Sequence, residues 1–438
     1  MNWKYYSLTL RIVVFCICYA GICSFYVTAM NLPGNSDCYR LNTDMEIKAL
    51  CDNTGNDKPA VGSFTGFRQG SIEEFLGEPV FLLEKMFDGR GGRNIITAQD
   101  GTVLVFHRDF LIESKDGGRT WSDERFIGED VRGYNSILNE QNGEILLVHP
   151  EGYNWKSPDN GITWNREVIE ILPNSMLHGS PDGVPLVLWA MQPGVTLMFG
   201  EHKGRLIMAS RIWRVADNPR VFPWWLFQYS NSIYSDDNGK TWQSSSPFPD
   251  TGTGEGAIAE LSDGRLFYSS RKHYFDKRFP EHFRHELHYA FSYDGGENWE
   301  DLRLSLDLPD GPRYRDEKPV GMNFNGHFGL LGGLLRLPVD GKDILLYSNV
   351  DTPCHNRKRL TVWASFDGGE TWPVKRLVYD GPSAYSSLGA GRTGTPSEGM
   401  IYLIFEGGEK GPHSEVNLAV FNLSWLLGDQ NINDFLER

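Results

Sequence analysis

A short motif occurs five times in this chain and constrains its fold more than any other feature. The pattern is Ser-x-Asp-x-Gly-x-Thr-Trp, and only the fourth copy departs from it, with Asn298 in place of Thr. The copies SKDGGRTW, SPDNGITW, SDDNGKTW, SYDGGENW and SFDGGETW begin at Ser114, Ser157, Ser235, Ser292 and Ser365. Successive copies are 43, 78, 57 and 73 residues apart. Such repetition is typical of propellers and solenoids, and the unequal spacing favours β-blades with variable loops.

The chemistry of the motif explains why it recurs. An Asp followed by a Gly-containing pair makes a tight turn between antiparallel strands, because the carboxylate accepts backbone N–H groups and Gly supplies a positive φ. The Ser and Thr hydroxyls can close the same network, and the Trp can pack between neighbouring sheets. We therefore interpret the five Asp residues as folding devices rather than as catalytic groups.

Six hairpin patterns accompany the motif, each a polar Gly-containing turn followed by a strand. They read ITAQDGTVLVF, QNGEILLVH, HKGRLIMAS, LSDGRLFYSS, VDGKDILLYS and SEGMIYLIF. They predict an all-β fold, a six-bladed β-propeller of four-stranded antiparallel sheets over residues 81–438. With five motif copies for six blades, the last blade either lacks the motif or is completed by residues near the N-terminus.

The first residues have a different character. Lys4 and Arg11 precede the apolar run IVVFCICYAGICSFYV, and Val27-Thr28-Ala29 follows as a small-residue site. This pattern predicts a secretory signal peptide over residues 1–29, and an uncleaved signal anchor is the alternative. Residues 30–80 are predicted to form an N-terminal extension. We expect a secreted or extracytoplasmic protein, in contact with a membrane only if the anchor is retained.

The charge balance limits the ligand classes. The formal net charge of −15 argues against a nucleic-acid partner, which needs a basic surface. It leaves room for a small anionic ligand, because a local cluster of arginines can act inside an acidic protein. No Cys/His spacing resembles a zinc site, and the sequence predicts neither a metal nor a cofactor.

Three arginines stand at strand ends in different predicted blades. Arg93 begins the first strand, Arg271 ends a strand in DGRLFYSSR, and Arg357 precedes a strand in CHNRKRLTVWAS. Strand ends near the axis of a propeller converge on one face, and three guanidinium groups there would hold one carboxylate. Arg359 is the alternative third arginine if the register differs by two residues.

Further residues extend this pattern. Glu255 stands sixteen residues before Arg271, Tyr385 lies in GPSAYSSL 28 residues after Arg357, and Glu406 ends the strand IYLIFE. Taken in chain order with the arginines, over roughly residues 85–425, this set resembles the sialidases (neuraminidases). The turn motif alone is less specific, since it occurs in other β-propeller and glycan-associated proteins.

The resemblance implies an exo-sialidase that removes terminal sialic acid from glycoconjugates with retention. Arg93, Arg271 and Arg357 would hold the carboxylate of the sugar. Tyr385 would be the nucleophile, since a neutral phenol avoids repulsion by the negative substrate, and Glu255 would take its proton. Glu406 would hold Arg93 through a salt bridge. The expected partners are sialylated glycans or other acidic sugars.

The sequence departs from the family pattern at the general acid/base. Sialidases carry an Asp in a loop after the first strand, but here that loop is short. Asp109, in His107-Arg108-Asp109, is the nearest candidate, and His107 is the second. The Arg-Ile-Pro signature is also altered, to Arg93-Asn94-Ile95. These departures keep open a non-catalytic propeller that binds acidic glycans or a protein partner, or a glycosidase for another acidic sugar.

Overall fold

The computed structural model describes residues 14–19, 22–27, 69–91, 94–131, 135–172, 186–188, 192–213, 229–273, 286–311, 329–352 and 356–436. The chain divides into two compact units, Met1–Gly62 and Ser63–Arg438. In the first unit, β1 (Val14–Tyr19) and β2 (Ile22–Val27) pair as an antiparallel hairpin. Among the described residues, no helix has the length and apolar character that a membrane span needs.

Three sheets of the second unit have four antiparallel strands each, in chain order. The first contains β4 (Asn94–Thr97), β5 (Val103–His107), β6 (Phe110–Ser114) and β7 (Arg125–Phe126). The second contains β8 (Ser136–Leu138), β9 (Ile145–His149), β10 (Tyr153–Ser157) and β11 (Asn165–Val168). The third contains β18 (Thr253–Glu260), β19 (Leu266–Lys272), β20 (Glu286–Ser292) and β21 (Glu300–Pro309).

The other two sheets of this unit are larger. The six-stranded sheet contains β12 (Glu170–Leu172), β13 (Leu186–Leu188), β14 (Val195–Thr196), β15 (Leu206–Trp213), β16 (Tyr229–Ser235) and β17 (Thr241–Ser244). The seven-stranded sheet contains β22 (Gly333–Arg336), β23 (Leu345–Val350), β24 (Lys358–Ser365), β25 (Val374–Ala390), β26 (Ile401–Gly407) and β27 (Glu415–Phe421), with β3 (Phe81–Asp88) at its edge.

The fold is an all-β propeller, as the sequence predicts, but strand pairing does not divide it into six separate four-stranded sheets. The reason is β25, a continuous strand of 17 residues. Its first part pairs with β24 and its second part with β26, so hydrogen bonds join what were predicted as two sheets. In addition, β12 pairs with β17 in parallel, which enlarges the six-stranded sheet.

The core is made of apolar layers between neighbouring sheets, and most central strands are buried on both faces for this reason. One layer joins Ile96 and Leu104 of the first sheet to Ile145 and Leu147 of the second. The layer that closes the propeller contains Val103, Val105, Tyr402, Ile404 and Val416, and it joins the first sheet to the last.

The repeated motif forms a turn between two consecutive antiparallel strands, as its chemistry predicts. The five copies join β6 to β7, β10 to β11, β16 to β17, β20 to β21 and β24 to β25. In the first copy, the Asp116 carboxylate accepts from Arg119 N and Thr120 N, both at 3.0 Å, and from Thr120 Oγ1 at 2.6 Å. Ser114 Oγ donates to the same carboxylate at 2.9 Å. In the fourth copy, Asn298 Nδ2 donates to Asp294 at 2.8 Å, so an amide performs the role of the hydroxyl.

Three short helical segments complete the described second unit. A 3₁₀ helix, Ile72–Phe75, precedes β3. After β27 come α1 (Leu423–Leu427) and α2 (Asn433–Leu436). Asn422 caps α1 by accepting from Trp425 N at 3.0 Å, and its side chain also accepts from Val80 N at 3.1 Å. Asn422 thereby holds the start of α1 beside the start of β3.

Candidate active site

Two neighbouring strands bring a carboxylate and a guanidinium group together. Glu255 lies near the start of β18 and Arg271 near the end of β19, and the pairing of these strands shifts register between Thr253 and Gly256. Such irregularities in a ladder re-aim side chains. The Arg271 side chain is 1% exposed and Glu255 is 5% exposed, and Arg271 Nη1 donates to Glu255 Oε2. The two groups form a buried ion pair.

Tyr385 reaches this ion pair from a distant part of the chain. It lies in β25, where the pairing with β26 shifts between Ser383 and Ser386. Its hydroxyl accepts from Arg271 Nη1 at 3.3 Å, although the two residues are 114 positions apart. The tyrosine is buried, with 7% of its surface exposed. Arg271 therefore contacts both the predicted nucleophile and the predicted base.

Arg357 is the second predicted arginine in this cluster. Its Cζ lies 5.7 Å from the centroid of the Tyr385 ring, and its Nη1 lies 3.3 Å from His413 Nε2. The alternative arginine has different surroundings, because Arg359 Nη1 forms an exposed ion pair with Asp380 at 2.5 Å. The structure thus brings Arg357 to Tyr385 and leaves Arg359 at the surface.

Burial and charge act on both arginines. Burial by itself would lower the pKa of Arg271, but the Glu255 carboxylate and then Tyr385 outweigh it and raise the pKa above the usual arginine value. Burial, followed by the positive charge of Arg271, holds the pKa of Arg357 below its usual value, with Tyr385 and Glu255 opposing the shift. The guanidinium groups of Arg271 and Arg357 therefore lie close together in a site that water reaches poorly.

Glu406 is fully buried next to this cluster. It accepts from Gly91 N at 3.3 Å and from His413 Nδ1, and it lies 4.0 Å from Arg90 Nε. The predicted partner of Glu406, Arg93, lies outside the described residues. The expected salt bridge between Glu406 and Arg93 therefore stays a prediction.

The connection between β5 and β6 is too short to form the longer, acid-bearing loop of the sialidases. His107 pairs with Phe110, so Arg108 and Asp109 alone form the turn between β5 and β6. Arg108 adopts a φ of 56°, which such a tight turn requires. The Asp109 carbonyl accepts from Ile127 N at 2.9 Å. The assignment of Asp109 as the acid stays a prediction.

His107, the other candidate, packs beside the segment that precedes Arg93. Its ring stacks on Phe87 at 4.3 Å, and its Nε2 lies 3.4 Å from the Arg90 carbonyl oxygen. Its Nδ1 lies 3.6 Å from Glu124 Oε1. These contacts place His107 between the first sheet and the closing strand β3.

Three further residues lie in or beside the cluster of Arg271, Tyr385 and Arg357 and were not predicted from the sequence. The Arg211 Nη1 atom lies 3.9 Å from Glu255 Oε1, and the residue is buried. Asp310 is fully buried and accepts from Lys272 N at 2.6 Å. Burial raises the pKa of Asp310 to about 7, against the opposing effects of Lys272 N–H and Arg271. The third is His413. Arg211 could have been recognised from the sequence, because it is a charged residue inside the apolar run LIMASRIW. The sequence around Asp310 and His413 gives no comparable indication that these residues lie in a site.

The arrangement has a definite chemical capacity. The guanidinium groups of Arg271 and Arg357 can bind a carboxylate. Both lie beside Tyr385, and Glu255 pairs with Arg271. Within the described residues, no group of three or more His, Cys, Asp or Glu side chains is placed to hold a metal ion. The cluster of two guanidinium groups, a phenol and a carboxylate is suited to binding an anionic ligand.

Comparisons with known proteins give a consistent result. A family model described as "BNR repeat-like domain" matches residues 150–397. A sialidase of Micromonospora viridifaciens is 27% identical over 349 residues, which cover 72% of this chain and 46% of that protein. A sialidase of Paraclostridium sordellii is 30% identical over 244 residues, covering 47% of this chain and 55% of that protein. The chain thus spans about half the length of these curated relatives.

Solved structures show the same fold. The Hadza microbial sialidase Hz136 superposes with a TM-score of 0.54 at 21% identity, over 77% of this chain and 66% of that one. The intramolecular trans-sialidase of Ruminococcus gnavus superposes with a TM-score of 0.53 at 14% identity, over 78% of this chain and 95% of that one.

Proposed function

Because this chain belongs to the sialidase family with BNR repeats, we propose that it is an exo-sialidase. It is a glycoside hydrolase that removes terminal sialic acid from glycoconjugates, with retention of the anomeric configuration. The observation that carries the proposal is the contact of Arg271 with both Tyr385 and Glu255, beside Arg357. Carboxylate-binding groups and a nucleophile thereby share one buried cluster.

The proposed reaction has two steps. The substrate carboxylate binds Arg271 and Arg357, with Arg93 as the third arginine. The Tyr385 oxygen then bonds to the anomeric carbon as the bond from that carbon to the glycosidic oxygen breaks, and Glu255 takes the phenol proton. The leaving alcohol receives a proton from the general acid. Water next attacks the same carbon as the bond from that carbon to the Tyr385 oxygen breaks. The proton of the water passes to the deprotonated general acid, and Glu255 returns its proton to Tyr385. This second inversion restores the original configuration.

The general acid must protonate the glycosidic oxygen of the leaving group. We propose Asp109, with His107 as the second candidate, because both lie at the turn between β5 and β6. Glu406 would hold the segment of Arg90 and Gly91, which precedes Arg93, through the contacts that it makes there.

The test is hydrolysis of an aryl sialoside, whose phenol leaving group needs little protonation. The wild-type protein should release the phenol, and Tyr385→Phe should lower kcat by about a thousandfold or more, because the covalent step loses its acceptor. Tyr379→Phe is the matched control, since Tyr379 lies in the same strand and packs on Phe405. It should keep wild-type activity. A 2,3-difluorosialic acid probe should label Tyr385 in a peptide map.

Turnover by Tyr385→Phe within tenfold of wild type would rule out the tyrosyl mechanism. The second candidate function is a non-catalytic propeller that binds acidic glycans or a protein partner, and the short turn at Asp109 favours it. Binding of sialosides without release of phenol would support that alternative. Release from the aryl sialoside but not from natural sialosides would indicate an enzyme with a weak acid step.

We also propose that the propeller has six blades. Six hairpins join first and second strands, namely β4–β5, β8–β9, β14–β15, β18–β19, β22–β23 and β25–β26. An apolar layer lies between the two parts of the seven-stranded sheet, with Leu346 and Val362 on one side and Leu403 and Phe405 on the other. This supports two blades that share β25.

We further propose that residues 1–29 act as a signal peptide, that residues 30–80 form an extension, and that the protein is exported. The basic residues before an apolar run and the small-residue site at Ala29 support this assignment. Export would bring the propeller, residues 81–438, to sialylated glycans outside the cytoplasm.

A further inference from the structure

His413 links two groups of the site through its two ring nitrogens. It lies between β26 and β27. Its Nδ1 contacts Glu406 Oε2, and its Nε2 lies 3.3 Å from Arg357 Nη1. The imidazole also lies beside Tyr385, with the ring centroids 5.7 Å apart. Glu406 is fully buried, and the His413 side chain is 25% exposed. The imidazole thus connects a buried carboxylate to a predicted substrate-binding arginine.

The chemistry of the partners fixes the direction of both hydrogen bonds. A guanidinium group can only donate, so His413 Nε2 must accept from Arg357 Nη1. The ring proton then lies on Nδ1, which donates to Glu406. Orientation of an imidazole by a carboxylate at its other nitrogen is a common way to select one tautomer.

Arg357 is held differently from Arg271. Arg271 donates to the Glu255 carboxylate, whereas Arg357 donates to an imidazole. A carboxylate partner would neutralise the guanidinium charge, but an imidazole that accepts through Nε2 fixes its position without doing so. The charge of Arg357 stays available to an incoming carboxylate.

We propose that His413 is a positioning residue, which holds Arg357 in place for the substrate carboxylate and is itself oriented by Glu406. This inference rests on the proposed function, because it assigns the ligand of Arg357 as the carboxylate of sialic acid. Without His413, the long arginine side chain must be ordered by the ligand, and that lost preorganisation weakens binding.

The experiment compares His413→Ala, His413→Phe and His413→Gln with wild type. His413→Ala and His413→Phe should raise KM and the Kd of free sialic acid about tenfold to a hundredfold, the loss expected for a hydrogen bond to a charged group. The value of kcat should change less, because Tyr385 and Glu255 keep their contacts with Arg271. His413→Gln should restore affinity to within about threefold, since an amide can donate to Glu406 and accept from Arg357.

His202→Ala is the control for loss of an imidazole outside the site. It should leave KM and the Kd of free sialic acid unchanged. Wild-type affinity for sialic acid in His413→Ala, with an unchanged KM, would overturn the role of His413 and leave the proposed function intact. An affinity of His413→Gln for sialic acid as weak as that of His413→Ala would likewise overturn the role of His413 and leave the proposed function intact.

A second measurement separates failure of this inference from failure of the proposed function. If wild type neither binds nor hydrolyses sialosides, the proposed function fails. The contact can still be tested by ¹⁵N NMR of labelled histidine. A ring with the proton on Nδ1, and an Nε2 resonance that moves in Arg357→Ala, supports the link from His413 to Arg357. An Nε2 resonance unaffected by Arg357→Ala overturns it.

Discussion

Arg357 and Arg359 are separated by one residue and have opposite surroundings. Arg357 is partly buried against Tyr385 and His413, whereas Arg359 forms an exposed pair with Asp380, in which the two side chains are 42% and 73% exposed. An exposed ion pair contributes little to stability. At the residue scale, therefore, removal of Arg357 and removal of Arg359 should have very different effects on ligand binding.

The prediction compares Arg357→Ala with Arg359→Ala. Arg357→Ala should raise the Kd of free sialic acid at least tenfold, because one charged donor to the carboxylate is lost. Arg359→Ala should keep that Kd within about twofold. Isothermal titration calorimetry with each variant measures both values. Equal weakening by the two variants would show that Arg357 has no special role in binding.

At the scale of the element, the turn motif connects two consecutive strands of a sheet, as its first copy connects β6 and β7. The Asp116 carboxylate accepts from Ser114, Arg119 and Thr120, and these bonds hold its pKa at about 2, with the Thr120 hydroxyl as the main cause. The folded pKa is lower than that of an unfolded Asp. The carboxylate therefore contributes stability above pH about 4, and this contribution is lost as the pH falls through about 2.

Asp116→Asn should consequently lower the free energy of unfolding by about 2 kcal/mol at pH 7, which is typical for loss of hydrogen bonds to a charged group. The difference from wild type should shrink between pH about 4 and pH about 2. Asp123→Asn is the control, because Asp123 is exposed just beyond the motif. Urea unfolding at several pH values measures these differences. A cost that does not depend on pH would contradict the role of the charge.

At the scale of the whole molecule, β3 closes the propeller. This strand pairs with β27, from Phe81 opposite Phe421 to Asp88 opposite Glu415. Phe87 is buried in the layer that also contains Val103 of the first sheet and Tyr402 of the last. Leu83 lies in the same strand but is 42% exposed. Pairing of strands from distant parts of the chain thus covers the edge of β27, and β3 becomes the outer strand of this sheet.

Phe87→Ala should therefore lower the free energy of unfolding by about 3 kcal/mol or more, since a buried aromatic side chain is removed from the closing layer. Leu83→Ala, in the same strand, should change it by about 0.5 kcal/mol or less. Guanidinium-induced unfolding of both variants tests this difference. Similar small effects would mean that β3 contributes no packing to closure.

The sequence by itself determined the local parts of this protein. The five turn motifs and six hairpins depend on contacts between residues within a few positions, such as Ser114 with Asp116 and Thr120, so their residue types predicted them. The all-β propeller followed from their repetition. Positions at strand ends indicated Arg271 and Arg357, and the family resemblance added Glu255 and Tyr385. The structure brings these four residues together.

Only the tertiary structure decided which distant groups meet. Arg357 reaches His413 across 56 positions and Arg271 reaches Tyr385 across 114, and no local pattern encodes such contacts. The same holds for the position of Arg357 beside Tyr385 and of Arg359 at the surface. It holds also for the ion pair of Arg211 and for the continuity of β25. The physical reason is that a turn is stabilised by its own residues, whereas a site is stabilised by the packing of separate sheets.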